Sequence, residues 1–284
     1  MNASAPLPAA ADPERALPVA ERACSVLRND WVNNRYKHLE IEADEPLTRV
    51  KAGEFFNLLC PIQGDDQPFL RRPMSVYSAS PAQGRIGFLY KVTGAGTRGL
   101  ASLRNGDALN VVGPLGSGFH FDPGWQRIVV LARGVGMATM APLVPLAAAG
   151  GTAVSAVLSA RTAEDVMQRE FVQGRDIDVH PVCDTDGSSA PERVEALLRR
   201  LIEAQPPDML YSCGSSRLLA LAQRLCREYG LRGEAALEQQ MACGFGVCLC
   251  CVREFEVAGQ HVHKRVCCEG PVFDLQQVVA NSPW

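Results

Sequence analysis

A chain of 284 residues is long enough for about two domains with buried cores. Its 28 basic and 31 acidic side chains leave a net charge of −3, which gives no electrostatic case for a nucleic-acid or anionic-membrane surface. Charges of both signs are spread along the chain, so no binding stripe stands out.

The opening stretch, "MNASAPLPAAADPER", lacks the basic start and apolar run of a secretory signal. Its Ala and Pro content predicts a disordered tail over 1–18. Without a signal the expected compartment is the cytoplasm, where clustered cysteines point to metal or redox chemistry rather than disulfides.

Residues 19–122 read as antiparallel β. "HLEIEA" and "RIGFLYKVTG" alternate or run apolar in short pieces, and "AGEFF", "SPAQG", "NGD" and "GPLGSG" punctuate them. This spacing predicts a small barrel or sandwich. Within it, "RRPMSVYS" sets Arg72 three places before Ser75. A guanidinium there suits a pyrophosphate, and the hydroxyl suits the edge of a flavin ring; a surface turn at Pro73 is the plainer reading. In "TGAGTRG", Gly94, Gly96 and Thr97 suit a phosphate held by backbone amides, or a simple hairpin turn.

From 123 to 230 the pattern becomes strict strand–helix alternation, which predicts a doubly wound parallel sheet. The uncharged run from Gly134 to Ala160 is broken by Pro142, Pro145, Gly150 and Gly151, so it is not a membrane span. "LARGVGMATMAPL" places Gly134 and Gly136 between a strand and a helix. That is a loose nucleotide-binding turn, and close strand–helix packing explains it nearly as well. "SCGS" puts Cys213 and Gly214 at the end of a later strand, where ligands of such sheets gather. Cys24, Cys60, Cys183, Cys213 and Cys226 are scattered and read as small buried hydrophobes.

Residues 231–284 hold the other six of the 11 cysteines. Cys243, Cys248 and Cys251 form C-x4-C-x2-C, and Cys267 follows after fifteen residues. This is the plant-type [2Fe–2S] spacing. Gly244 and Gly246 let the backbone wrap closely and aim N–H groups at sulfur. Structural zinc is the alternative, though it more often takes two close pairs. Cys250 and Cys268 are surplus, and Cys268 remains open as a substitute for Cys267. The histidines show no metal spacing, and no Ser–His–Asp set or carboxylate pair supplies a substrate acid or base.

The order barrel with "RRPMS", α/β with "RGVG" and "CGS", then C-x4-C-x2-C resembles the ferredoxin–NADP reductase superfamily. "MACGFGVCLCC" and "CCEGPVF" narrow it to the electron-transfer subunits of the NAD-dependent, two-subunit dihydroorotate dehydrogenases. The resemblance covers about Val19 to Val279. It implies three parts: an FAD-binding β-barrel, an NAD-binding α/β domain and a C-terminal [2Fe–2S] module. Arg72, Pro73, Met74 and Ser75 would contact FAD, and Gly94, Gly96 and Thr97 its phosphate. Gly134, Gly136, Cys213 and Gly214 would line the NAD(H) crevice. Cys243, Cys248, Cys251 and Cys267 would hold the cluster, because in the family's closing segment the cysteine precedes glycine by three.

The chain departs from the family in three places. Ala132 and Arg133 stand where a glycine run is usual, "CGSSRLL" replaces "CGP", and Met74 stands where wider relatives have tyrosine. The choice between NAD and NADP stays open on these departures. The implied role is hydride exchange with NAD(H) and single-electron transfer to an FMN-containing dehydrogenase subunit in a hetero-oligomer of pyrimidine biosynthesis. A reductase subunit for another dehydrogenase or oxygenase, and a non-catalytic partner-binding subunit with zinc in the cysteine loop, are the alternatives.

Overall fold

The computed structural model describes residues 19–279 except 173 and 176, so the tail expected over 1–18 lies outside the described residues. Seven strands, β1 (Ala20–Trp31), β2 (Tyr36–Glu42), β3 (Phe55–Leu58), β4 (Arg72–Ser75), β5 (Ser78–Ser80), β6 (Arg85–Lys91) and β7 (Ala108–Leu115), pair antiparallel in the order β4-β3-β7-β1-β2-β6-β5. The two edge strands are consecutive pieces of one segment. Val76 N–H donates to the Glu54 carbonyl at one edge and Tyr77 N–H to the Gly87 carbonyl at the other. That segment spans the two edges and curls the antiparallel sheet into a half-barrel, with β4 and β5 as its outer strands. Inward residues Leu39, Ile41, Phe56, Leu58, Ile86 and Phe88 fill it. The short helix α1 (Glu45–Thr48) adds Leu47 to this core, and α2 (Ala95–Ser102) adds Leu100.

The second sheet is parallel, with β8 (Arg127–Arg133), β9 (Ala153–Ala160), β10 (Asp178–Cys183), β11 (Met209–Cys213) and β12 (Gly233–Ala236) in the order β10-β9-β8-β11-β12. Successive β8 residues face different cores: Ile128 and Val130 pack on one side, Val129 and Leu131 on the other. Both faces are therefore apolar, as a sheet covered on two sides requires. The helices are α3 (Gly136–Met140), α4 (Leu143–Gly150), α5 (Gln168–Val172), α6 (Pro191–Ala204) and α7 (Ser216–Tyr229). In α6 the buried residues Val194, Leu198 and Ile202 recur at helical spacing.

Two features differ from the sequence expectation. Strict alternation over 123–230 makes "AEDVMQREFV" one helix between β9 and β10, but it is a 3-10 turn at Ala163–Asp165 followed by α5, because Met167 takes a positive φ of 50° and breaks the run. The cysteine-bearing stretch is also not separate from the parallel sheet. A hairpin of β13 (Val252–Val257) and β14 (Gln260–Arg265) and the single-turn α8 (Val266–Glu269) leave β12 and return through β15 (Val272–Asp274), which pairs antiparallel with β12. The hairpin is too small to build its own core, so Phe255, Val266 and Phe273 join the core beneath α6 and α7. Among the described residues, no helix is long and apolar enough to cross a membrane.

Candidate cofactor site

On the barrel, Arg72 is half-buried and opens β4. A Cβ on Gly96 would lie 2.8 Å from Arg72 Nε, so only glycine lets the guanidinium rest against the first turn of α2. Thr97 Oγ1 accepts the N–H groups of Thr93 at 2.8 Å and Gly94 at 3.0 Å. Its hydroxyl therefore shapes the turn from within. The first-turn amides of α2 have no partner inside the helix. A cation beside such amides suits a pyrophosphate. Pro73, which lacks an N–H, sits on the outermost strand, where none is needed by a further strand. Met74 pairs with Phe56, and Ser75 Oγ accepts a hydrogen bond from Thr139 Oγ1 at 2.9 Å. Ser75 thereby meets α3 of the other sheet.

Gly134, Gly136, Cys213 and Gly214 come together where the strand order reverses, between β8 and β11. Gly134 turns the chain with φ 54°. A Cβ on Gly136 would lie 2.9 Å from the Cys213 carbonyl, and one on Gly214 would lie 2.3 Å from the Arg133 carbonyl. These glycines therefore also do the packing work weighed for them. The Cys213 thiol is 3% exposed. Burial pushes its pKa far up, so it is an inert wall rather than a nucleophile. A cavity of about 170 Å³ opens beside Cys213 and Gly214, bounded also by Ser215, Leu237, Glu238 and Arg253. Burial raises the Glu238 carboxyl above its ordinary value.

In the cysteine loop, backbone amides point at sulfur. Phe245 N–H and Cys248 N–H donate to Cys243 Sγ at 3.3 and 3.5 Å, and Gly246 N–H to Cys267 Sγ at 3.1 Å. Cys267 N–H donates to Cys251 Sγ at 3.4 Å. Burial pushes the Cys243 thiol up, but these amides and the Cys248 side chain outweigh it and bring the pKa to about 6. Gly244 and Gly246 have φ of 78° and 77°. A Cβ on Gly244 would strike Asn57, and one on Gly246 would strike Cys268 Sγ.

The four thiols meet as two pairs, Cys243 with Cys248 and Cys251 with Cys267. The first pair lies toward the surface, and the second is buried. Among the described residues, no three His, Cys, Asp or Glu side chains converge on one metal ion. A single zinc needs four donors around one point. A two-iron cluster needs two thiolates on each iron, and two pairs fit that demand. Cys250 and Cys268 are both exposed. Cys250 Sγ contacts the Gln240 carbonyl at 3.7 Å. The five scattered cysteines are all buried, and His261 and His263 are exposed on β14.

Sequence reading missed Asn57, Thr139 and Arg265. Asn57 Nδ2 donates to the Cys243 carbonyl at 3.0 Å and ties the cysteine loop to β3. Arg265 reaches the Gly246 carbonyl and pairs with Glu269.

Residues 238–279 match the family model described as the iron–sulfur cluster binding domain of dihydroorotate dehydrogenase B. The protein described as dihydroorotate dehydrogenase B (NAD(+)), electron transfer subunit, of Desulforamulus reducens is 32% identical over 245 residues, covering 85% of this chain and 92% of that one. The chain belongs to the family of dihydroorotate dehydrogenase B electron-transfer subunits. The corresponding subunit of Shouchella clausii is 30% identical over 231 residues, 80% of this chain and 86% of its own. In the dihydroorotate dehydrogenase B family model, the matched segment begins just after β12 and takes in the hairpin, α8 and β15. Among solved structures, an NADH-dependent reduced ferredoxin–NADP oxidoreductase superposes with a TM-score of 0.73 at 23% identity, over 90% of each chain. The ferredoxin–NADP+ reductase of Plasmodium falciparum superposes at 0.58 and 12% identity, over 72% of this chain and 88% of that one. These structural likenesses show the shared barrel-plus-α/β fold.

Proposed function

We propose that this subunit passes electrons between NAD(H), FAD and a [2Fe–2S] cluster, to or from an FMN-containing dihydroorotate dehydrogenase subunit in pyrimidine biosynthesis. The observation that carries it is the two-pair cysteine loop, pinned by Asn57 to the barrel strand next to Arg72–Ser75. Bound, FAD supplies the conversion between the two electrons of a hydride and the single electrons that a cluster accepts.

In this reading residues 19–122 hold FAD, 123–230 bind NAD(H) and 231–284 carry the cluster. Arg72 neutralises the pyrophosphate beside the amides of α2, with Gly94, Gly96 and Thr97 forming that turn. Pro73, Met74 and Ser75 line the flavin. Gly134, Gly136, Cys213 and Gly214 let the nicotinamide approach at the strand-order reversal. Cys243, Cys248, Cys251 and Cys267 hold the cluster, with Cys267 favoured over Cys268 because it is buried against Cys251 and receives the Gly246 amide. Around Cys248 the loop exposes Phe245 at 46%, Val247 at 81% and Leu249 at 59%. Such an apolar rim suits a stable partner subunit. A cytoplasmic setting belongs to this reading, since unpaired thiols persist there.

The test is reconstitution with the catalytic subunit encoded in the same organism. Dihydroorotate-dependent reduction of NAD+ should require this chain. Unchanged NAD+ reduction without it, or none with it, would move the reading toward a reductase for another complex.

A further inference from the structure

Arg265 ends β14 and pairs in register with Val252 at the start of β13. It therefore lies between the segments that supply Cys251 and Cys267. Its Nη1 donates to the Gly246 carbonyl at 3.4 Å, and its Nε donates to Glu269 Oε2 at 3.0 Å. The Arg265 backbone N–H donates to the same carboxylate oxygen at 2.8 Å. The guanidinium thus sits between the cysteine loop and Glu269. Gly246 is also the residue whose N–H donates to Cys267 Sγ at 3.1 Å. A Cβ on Gly246 would lie 2.6 Å from Cys268 Sγ and 3.2 Å from Arg265 Nη1, so glycine lets the cation come this close. Neighbouring cations are held elsewhere. Lys264 points to the opposite face of β14 and donates to Gln277 Oε1 at 2.9 Å, and Arg253 donates to the Val279 carbonyl at 3.3 Å.

A cluster held by four thiolates is an anion, and each electron it takes up adds a negative charge. A fixed cation beside it favours the reduced form, and a carboxylate opposes it. Arginine keeps its charge at any working pH. We propose that Arg265 sets the reduction potential of the cluster held by Cys243, Cys248, Cys251 and Cys267: its charge raises the potential, and Glu269 moderates the rise. This rests on the cluster reading proposed above. A purely bracing role would use the same contact with Gly246, and charge tells the two apart. The Arg265 and Glu269 side chains are 43% and 39% exposed, so dissolved salt reaches the pair and screens it.

The test is the midpoint potential of the cluster in the flavin- and cluster-loaded subunit, read by redox titration of its electron paramagnetic resonance signal. Arg265→Gln should make cluster reduction about 10-fold less favourable, a fall of about 59 mV. Arg265→Lys should stay near wild type, and Glu269→Gln should raise the potential. The gap between wild type and Arg265→Gln should narrow in high salt. Lys264→Gln should shift the potential less than Arg265→Gln does. Equal potentials in wild type and Arg265→Gln would overturn the proposal. So would a fall in Glu269→Gln, a gap that salt leaves unchanged, or an equal shift from Lys264→Gln. If Arg265→Gln does not hold iron, the other two variants decide. A raised potential in Glu269→Gln with a wild-type value in Arg265→Lys is then the expected result, and an unchanged potential in Glu269→Gln overturns the proposal. A wild-type subunit without the signal would instead overturn the cluster reading itself.

Discussion

Gly136 brings α3 so near β11 that a methyl group would lie 2.9 Å from the Cys213 carbonyl. Gly136→Ala should therefore destabilise the chain by about 1–3 kcal/mol and weaken NAD+ binding, read by thermal melting and calorimetry. A melt and affinity equal to wild type would contradict the close approach. The cysteine loop makes a sharper distinction. Cys243→Ser and Cys267→Ser should each lose most of the bound iron, whereas Cys250→Ser and Cys268→Ser should keep it, as iron content per chain would show. The spacing of the proposed ligands was legible in the sequence because three of the four thiols sit on one tight loop. Asn57 was not legible. Its partner, Cys243, lies 186 residues away, and a lone asparagine on a strand carries no local sign of that contact.

Strand β12 carries a buried acid, Glu234, which accepts the His120 N–H at 2.9 Å. Its pKa is raised to about 7, chiefly by burial and with a contribution from Asp274, while the His120 amide and Arg232 oppose the rise. The folded state therefore holds a proton that the unfolded chain releases at the ordinary carboxylate value. Glu234 favours the fold most below that value, and its contribution is lost as pH rises through about 7. The full loss is about 3 kcal/mol. Urea unfolding at pH 5.5 and 8.5 should show about 2 kcal/mol of this fall, because the rest is lost between the unfolded value and pH 5.5, and Glu234→Gln should flatten it. An equal slope in the variant would assign the pH dependence elsewhere.

Strand and helix order over 123–230 was readable because apolar runs alternate with amphipathic ones. The break at Met167 was not, since nothing in "AEDVMQREFV" marks a positive φ. Nor was the pairing of β12 with β15, because both are short and 35 residues of cysteine lobe separate them. Only the sheet edge and shared core bring them together.

The cysteine lobe leaves and rejoins the sheet at neighbouring strands, and Asn57 fastens it to the barrel. The barrel and sheet are joined by Ser75 with Thr139, by the Tyr77 hydroxyl to the Glu170 carbonyl, and by Arg35 with Asp165 at 3.2 Å. The elements that carry the sites proposed for flavin, nicotinamide and cluster are thus tied to one another by direct contacts. The order of the three parts was legible in the sequence. Their joints were not, because each pairs residues distant in the chain. At this scale the exposed rim gives a prediction. Replacing Phe245, Val247 and Leu249 together by serine should weaken binding of the catalytic subunit by about 10-fold or more while leaving the visible spectrum unchanged. Equal affinity would place the interface elsewhere.

The most direct test of the whole scheme is the visible absorption spectrum of the purified chain before and after anaerobic addition of NADH. A flavin and [2Fe–2S] spectrum that bleaches with NADH is the expected result. A colourless zinc protein, or a coloured one that NADH leaves unchanged, would contradict the electron path from nicotinamide to cysteine loop.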